Sequence, residues 1–378
     1  MKTDVSTALT EPTSAEAGGQ LTIDLGALAA NWRELKRRAS PARCSAVIKA
    51  DGYGLGLTPV ATALAKTGCD TFFVALLDEA RRLRAALPMA TIYVLDGLMP
   101  GTAPEFRKLR VEPVLGSWVE IEEWDAFAHD SSEPLPAAVH VDTGMTRLGL
   151  AADEARLLAE RLRLLRFKPS LVMSHFACAD EPAHPLNAKQ IATFRALAAL
   201  FPGTPASLAN SAGLLAHPDS HFDLVRPGIS IYGGRAVIGQ ENPMRPVVRL
   251  DLRILQVRNA AKDMSVGYGA TRTLARDSRI AICAAGYADG IFRAVGSNDK
   301  RSGAELVVAG RRCPLVGRVS MDLIAVDVTD VPNVKRGDLA TLLGEGISVD
   351  EFASHAGTIG YETLTSLGLR YARVYVGG

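Results

Sequence analysis

Eight apolar runs rich in valine, isoleucine and leucine recur along the first two thirds of the chain, at residues 44–50, 71–76, 91–96, 111–115, 137–141, 171–175, 206–209 and 222–225. Helical patterns fill the intervals at 58–66, 78–86, 104–109, 118–128, 152–165, 185–200 and 211–216, and a further helix at 25–38 precedes the first run. Strands alternating with helices imply parallel pairing, and eight such units match the number at which a parallel sheet closes into a (β/α)8 TIM-type barrel. An open doubly wound sheet fits less well, because no G-x-G-x-x-G follows the first run.

Past Gly234 the texture changes. The chain reads VVRLDLRILQV, SRIAICAAGYA, AELVVAG, CPLVGRVSMDLIAVDV and DLATLLG, β-type runs bounded by Gly, Pro, Asn and Asp. This predicts an α/β barrel followed by a mainly antiparallel β domain with one helical segment at 349–356. The expected organisation is a disordered tail at 1–20, a barrel at 21–243 and the β domain at 244–378.

Composition narrows the partners. Lys and Arg (42) nearly balance Asp and Glu (41), so no strong field points to nucleic acid or an anionic membrane, and a small-molecule partner is expected. No apolar stretch reaches the length of a membrane span. The first 19 residues lack the apolar core of a signal peptide, which leads to the expectation of a cytoplasmic protein. Five cysteines without C-x-x-C spacing read as buried thiols, with neither disulfides nor a metal site.

Chemistry in such a barrel sits at the carboxyl ends of the strands. The first strand stops at Lys49, in AVIKADGYGLG; the fifth runs into HVDTGMTRLG, the sixth into SHFACAD, the seventh into ANSAG and the eighth into RPGISIYGG. Lys49, Arg147, His175, Asn210, Ser211 and Arg226 would therefore ring one opening. A lysine at the mouth of an apolar site loses hydration, which favours the neutral, nucleophilic amine. Ser211 opens a helix, and Pro227-Gly228-Ile229 offers backbone N–H groups at a tight turn, features suited to phosphate. An amine beside a phosphate cradle suggests pyridoxal 5'-phosphate held as a Schiff base.

With these motifs in order, the chain resembles the alanine racemase family from Leu21 to Val376. The resemblance rests on AVIKADGYGLG, HVDTGMTRLG, VMSHFACAD, SLANSAG and DLVRPGISIYGG, then on SVGYGATR, AAGYADGIFR, GRVSMDLIAVDV and IGYETLTSL in the β domain. It implies a pyridoxal-phosphate racemase of fold type III, acting as a homodimer with active sites shared between subunits. By position, Lys49 resembles the Schiff-base lysine and the base on one face of the cofactor. Tyr268 resembles the opposite base, contributed by the other subunit. Arg226 resembles the residue facing the pyridine nitrogen and His175 the one near the ring. Tyr53, Ser211, Gly228, Ile229 and Tyr361 match phosphate positions. Arg147 and the Met321 backbone match positions that hold the substrate carboxylate; Asp180, Tyr287, Arg293, Arg318 and Asp322 match the substrate access path and its support.

Racemisation needs two bases on opposite sides of the α-carbon. A phenol is a poor base at its ordinary pKa near 10, so a cation beside Tyr268, such as His175 or an arginine, is expected to help. Taken alone, Tyr268 between glycines reads as a turn or core aromatic. Asp142 and Asp322 could equally well cap loops. The sequence departs from the resemblance at His140, where many members carry a lysine that becomes carbamylated, and at Leu55, where a histidine is common. The expected activity is interconversion of L- and D-alanine, supplying D-alanine for peptidoglycan or for catabolism. The alternatives are a racemase of serine or another small amino acid, and a non-catalytic pyridoxal-phosphate homeostasis protein.

Overall fold

A computed structural model describes residues 12–129, 134–344 and 346–378. It forms two compact units, one of Leu25–Arg245 and one combining the chain up to Asp24 with Pro246–Gly378.

In the first unit the eight apolar runs are strands: Arg43–Cys44 continued by Ala46–Val47, then Thr71–Val74, Thr91–Val94, Glu112–Leu115, Leu135–His140, Phe167–Met173, Ala206–Ser207 and Leu224–Val225. From the first to the seventh, each pairs in parallel with the next. The eighth pairs in parallel with the first through Leu224↔Arg43 and Val225↔Cys44. Between the seventh and eighth, Asp223 N–H donates to Ala206 C=O (3.0 Å) and Arg226 N–H to Ala209 C=O (2.9 Å), so the sheet closes. This is the expected (β/α)8 barrel.

Strand Thr71–Val74 is buried at every position, as a continuous apolar run must be when one face fills the barrel and the other meets helices. Phe72 and Phe73 are fully buried, each contributing about 1.5–3 kcal/mol. The following helices bury one stripe: Leu57, Val60, Ala61 and Leu64 face inward from helix Leu57–Lys66. Pro169, which has no N–H to donate, sits where the fifth and sixth strands slip register between Ala137 and Ala138.

Beyond the first strand, Lys49–Tyr53 forms a turn with left-handed dihedrals at Ala50 (φ 53°), Asp51 (55°), Gly52 (66°) and Tyr53 (55°). Each non-glycine residue held this way costs about 1–2 kcal/mol, so neighbours must impose the shape.

The β unit is an eight-stranded sheet whose spine is the 13-residue strand Val248–Ala260. It pairs antiparallel with Gly19–Asp24, Ser278–Cys283 and Leu339–Leu343. Gly19–Asp24 also pairs in parallel with Ala372–Val376. Residues 21–24, read in sequence as the start of the barrel, therefore belong to this sheet. Buried Leu21 and Ile23 alternate as in any half-exposed strand, and alternation does not name a partner. Of the tail expected at 1–20, residues 1–11 lie outside the described residues. The remainder is ordered: Arg253 donates to Ala17 C=O at 3.2 Å through its side chain and to Gly18 C=O at 2.8 Å through its N–H.

The predicted helix is present as Val349–Ala356, N-capped by Ser348 Oγ, which accepts from Glu351 N–H at 3.1 Å. A second helix, Gly360–Ser366, was not anticipated. Seven residues with glycine and two threonines are too few to display a helical period.

Candidate active site

The barrel's first strand delivers Lys49. Ile48 N–H donates to Phe73 C=O (2.9 Å), pinning the strand end before the chain enters the left-handed turn. Lys49 is accessible to solvent, yet the protein around its amine strips enough hydration to lower its pKa, and the Arg147 cation acts in the same direction. Asp96 and Glu79 oppose them. The result is an amine uncharged more often than an ordinary lysine, reachable from the barrel mouth.

Arg226 follows the eighth strand and is buried, at 3% exposure. Its guanidinium donates to Ser207 C=O (2.8 Å), Ser207 Oγ (2.5 Å) and Ser174 C=O (2.6 Å), and lies 5.8 Å from the centre of the Phe73 ring. Burial lowers its pKa to about 9, which still leaves it charged at neutral pH. Among the described residues no carboxylate pairs with it. His175 Nδ1 is 3.5 Å from Arg226. Burial, then the Arg226 and Arg147 cations, hold the His175 pKa well below its ordinary value, so the ring is neutral. The expectation of His175 as a cation is thereby corrected.

Around the seventh and eighth strand ends, Ser211 Oγ accepts from Gly228 N–H (2.8 Å) and Ser230 N–H (3.3 Å). Ser230 Oγ is buried without a hydrogen-bond partner. A Cβ on Gly228 would lie 2.3 Å from the Tyr53 hydroxyl, so the phenol is seated directly against that glycine. Tyr53 is held there by stacking on Tyr232, ring centres 4.4 Å apart. Asn210 Oδ1 caps helix Ser211–Ala216 by accepting from Gly213 N–H at 2.9 Å, and Ile229 is fully buried. An orphaned hydroxyl, a side-chain-free glycine and a basic amine at one barrel mouth fit a cofactor with a phosphate at one end and a carbonyl at the other.

Arg147 is exposed in the loop after the fifth strand. Asp142 shapes that loop, its carboxylate accepting from Gly144, Met145 and Thr146 N–H at 2.9, 3.0 and 3.2 Å. Of the two readings open for Asp142, the loop cap is the one observed. His140, at the strand end, is buried, and its pKa falls to about 4 through burial and then the Arg226 and Arg147 cations. Asp180 lies exposed beyond the sixth strand, its C=O accepting from Ile238 N–H at 2.9 Å.

The β unit carries the other expected residues. Tyr268 is 72% exposed on a tight turn between Gly267 (φ 77°) and Gly269 (φ 77°). A Cβ on Gly269 would sit 2.9 Å from Arg318 Nη1, so the Arg318 guanidinium packs on this turn. Tyr287 N–H donates to Ser320 C=O (3.0 Å) and Ala288 N–H to Met321 C=O (3.0 Å), locking the Tyr287 and Met321 loops together. Gly286 permits that approach, since a Cβ there would meet the Ser320 oxygen at 2.3 Å. Asp322 pairs with Arg370 at 2.8 Å. Arg293 and Arg318 line one cavity of about 610 Å³. Tyr361 stands in the first turn of helix Gly360–Ser366.

Similarity to known proteins agrees with both halves. The family description "Alanine racemase, N-terminal domain" matches residues 23–236, and "Alanine racemase, C-terminal domain" matches residues 247–375.

The chain belongs to the alanine racemase family.

An alanine racemase of Methylobacterium sp. strain 4-46 is 54% identical over 361 residues, 95% of this chain and 98% of its own. A biosynthetic alanine racemase of Agrobacterium fabrum is 46% identical over 366 residues, covering 94% and 93%. A crystal structure of alanine racemase from Bartonella henselae with covalently bound pyridoxal phosphate superposes with a TM-score of 0.90 at 36% identity, covering 95% of this chain and 100% of that one.

The structure also brings forward residues that sequence reading missed. Glu79 accepts from Asp51 N–H in the Lys49 turn. Gln190, fully buried, donates to Thr143 Oγ1 (3.0 Å) and His175 C=O (2.9 Å) and accepts from Ala177 N–H (2.9 Å), fixing the loop that carries His175. Ser207 and Ser174 carry Arg226. The two serines had a signal, being small polar residues in apolar strand runs; Glu79 and Gln190 look like ordinary polar positions on amphipathic helices.

Proposed function

We propose that Lys49 and Tyr268 are the two bases by which this chain moves the α-proton of alanine. As a member of its family, the chain is a pyridoxal-phosphate-dependent racemase interconverting L- and D-alanine. When bound, pyridoxal phosphate withdraws electron density from the α-carbon of the attached amino acid and so makes its proton removable. The observation that carries the assignment is the environment of Lys49: accessible, partly dehydrated and beside Arg147, its amine is free to accept a proton at Nζ. On the opposite face the Tyr268 hydroxyl would hold or release the second proton, with Arg318 the cation packed on its turn.

Ser211, Ser230, Gly228, Ile229, Tyr53 and Tyr361 would hold the phosphate, and Asn210 would keep the Ser211 helix in place. Arg226 would face the pyridine nitrogen. Arginine donates and does not give up its proton, so it keeps that nitrogen unprotonated and moderates electron withdrawal, which disfavours transamination. Neutral His175 would pack near the ring. Arg147 and the Met321 backbone would hold the substrate carboxylate, with Asp180, Tyr287, Arg293, Arg318 and Asp322 along the access path. In this reading the barrel binds the cofactor and the β unit of a second copy supplies Tyr268. The exposure of Tyr268 (72%), Met321 (53%) and Tyr287 (43%) supports a partner surface there. Free thiols at all five cysteines support a reducing, cytoplasmic setting. Among the described residues, no helix is long and apolar enough to cross a membrane.

The test is incubation with L-alanine, and in parallel L-serine, in heavy water, following optical rotation and α-deuterium. Racemic, labelled alanine is expected from the wild type. Lys49→Ala should abolish exchange from both enantiomers, while Tyr268→Phe should leave exchange from one enantiomer without racemisation. Unimpaired racemisation by either variant would refute its role.

A further inference from the structure

At its centre, the turn that carries Lys49 is tied to the neighbouring strand end by a buried carboxylate, while its last residue, Tyr53, packs against Gly228 and Tyr232. Within the turn, Gly52 N–H donates to Ile48 C=O (2.9 Å), Gly54 N–H to Ala50 C=O (2.7 Å) and Gly56 N–H to Asp51 C=O (2.8 Å). Asp51 Oδ1 accepts from Leu57 N–H (3.1 Å) and pairs with Arg82 (3.0 Å). These bonds close the turn on its own segment or tie it to an exposed arginine; none fixes it to the barrel wall. Glu79 does. One carboxylate oxygen accepts from Asp51 N–H at 3.1 Å, and the other accepts from Ala75 N–H (2.8 Å) and Leu76 N–H (3.2 Å), just beyond the second strand. Glu79 is 5% exposed, and among the described residues it makes no ion pair, so its charge is satisfied by amides alone.

We propose that Glu79 is a positioning residue for Lys49, clamping the left-handed turn to the second strand so that the amine stands among Arg147, Asp96 and His175. The proposal rests on Lys49 being a base. Left-handed backbone at Ala50, Asp51 and Tyr53 persists only where the surroundings impose it, and the Glu79 side chain bonds both the turn and the neighbouring strand end. Its negative charge also acts on the Lys49 amine. The charged groups acting on that amine are Arg147, which disfavours the ammonium, and Asp96 and Glu79, which favour it; His175 is neutral.

Glu79→Gln keeps the shape but loses the charge and puts an NH2 where one acceptor stood. In the full-length holoenzyme, kcat should fall about tenfold or more, as for a misaligned reacting group, with KM for alanine nearly unchanged because Arg147 rides on a different loop. In cofactor-free full-length protein, the pH midpoint for acylation of Lys49, read by mass spectrometry, should move to lower pH. Glu79→Asp, which keeps the charge but shortens the reach to Asp51 N–H, should lose kcat while leaving the midpoint near that of the wild type. Unchanged kcat in either folded variant overturns the proposal. So does a kcat loss in Glu79→Gln that comes with lower thermal stability and an unmoved midpoint. If Glu79→Gln does not fold, the kcat of Glu79→Asp decides. Activity retained by Lys49→Ala would instead refute the assignment of Lys49 as a base, whatever the Glu79 variants do.

Discussion

Replacing Gly228 by alanine tests the cradle by adding one methyl group. An ideal Cβ at this position would be 2.3 Å from the Tyr53 hydroxyl oxygen, 3.0 Å from Tyr53 Cζ and 3.6 Å from Val47 Cβ. The backbone does not require glycine, since Gly228 is absent from the positive-φ positions, and any effect is therefore steric. To regain ordinary contact the hydroxyl must retreat by about 1 Å, the scale of displacement at which overpacking costs about 1–3 kcal/mol. Tyr53 has little room to yield: its ring stacks on Tyr232, which is 1% exposed and donates to Val47 C=O at 3.1 Å. Gly228→Ala should lower the melting temperature by about 2–4 °C for each kcal/mol lost. It should also weaken pyridoxal-phosphate binding about tenfold, measured by absorbance titration of the cofactor-free protein.

A double-mutant cycle isolates the cause. Tyr53→Phe removes the 2.3 Å contact and leaves the 3.0 Å one. In that background the stability cost of Gly228→Ala should fall by about 1 kcal/mol, a coupling expected only of residues in contact. Wild-type melting and cofactor affinity in Gly228→Ala, or strict additivity in the cycle, would refute the reasoning.

Asp142→Ala should free the loop bearing Arg147 and raise KM for alanine about fivefold, the equivalent of about 1 kcal/mol, with a smaller change in kcat; equal loss in both would show that the loop serves more than substrate binding. His140 titrates at about 4 in the fold and near 6.5 when unfolded, so the unfolded chain takes up the proton first as pH falls. Stability from keeping it neutral is complete above about pH 6.5 and declines toward pH 4, by about 3 kcal/mol at most. His140→Gln should flatten that part of the melting-temperature profile. The family resemblance places a carbamylated lysine at this position in many members, and a neutral His140 supplies no such negative charge toward Arg147, so His140→Lys should change KM for alanine; an unchanged KM would exclude that role.

The barrel half of the candidate site was legible because the residues proposed for it stand at strand ends, and strand ends are visible at the close of apolar runs. Lys49 after Ile48, Asn210 after Ala209 and Arg226 after Val225 each appear at such a boundary. The state of those residues was not legible. His175 looked like a candidate cation, yet it is neutral because it is buried beside Arg226, a neighbour 51 positions away in the chain. Asp142 could have been a site residue or a cap, and only three converging amides decide for the cap.

By itself, the sequence determined the architecture: period-3.6 and continuous apolar patterns are local properties, and eight alternations leave few ways to bury them all. It also determined which chemical groups could meet at the barrel mouth. Only the tertiary structure decided that strand Gly19–Asp24 joins the β sheet, that Lys49 rides on a left-handed turn, and that Glu79 bonds that turn, Gln190 the loop of His175, and Ser174 and Ser207 the Arg226 guanidinium. Those features depend on partners distant in sequence, on hydrogen bonds that no periodicity encodes, and on burial, which sets the charge of a group only after the chain has folded around it.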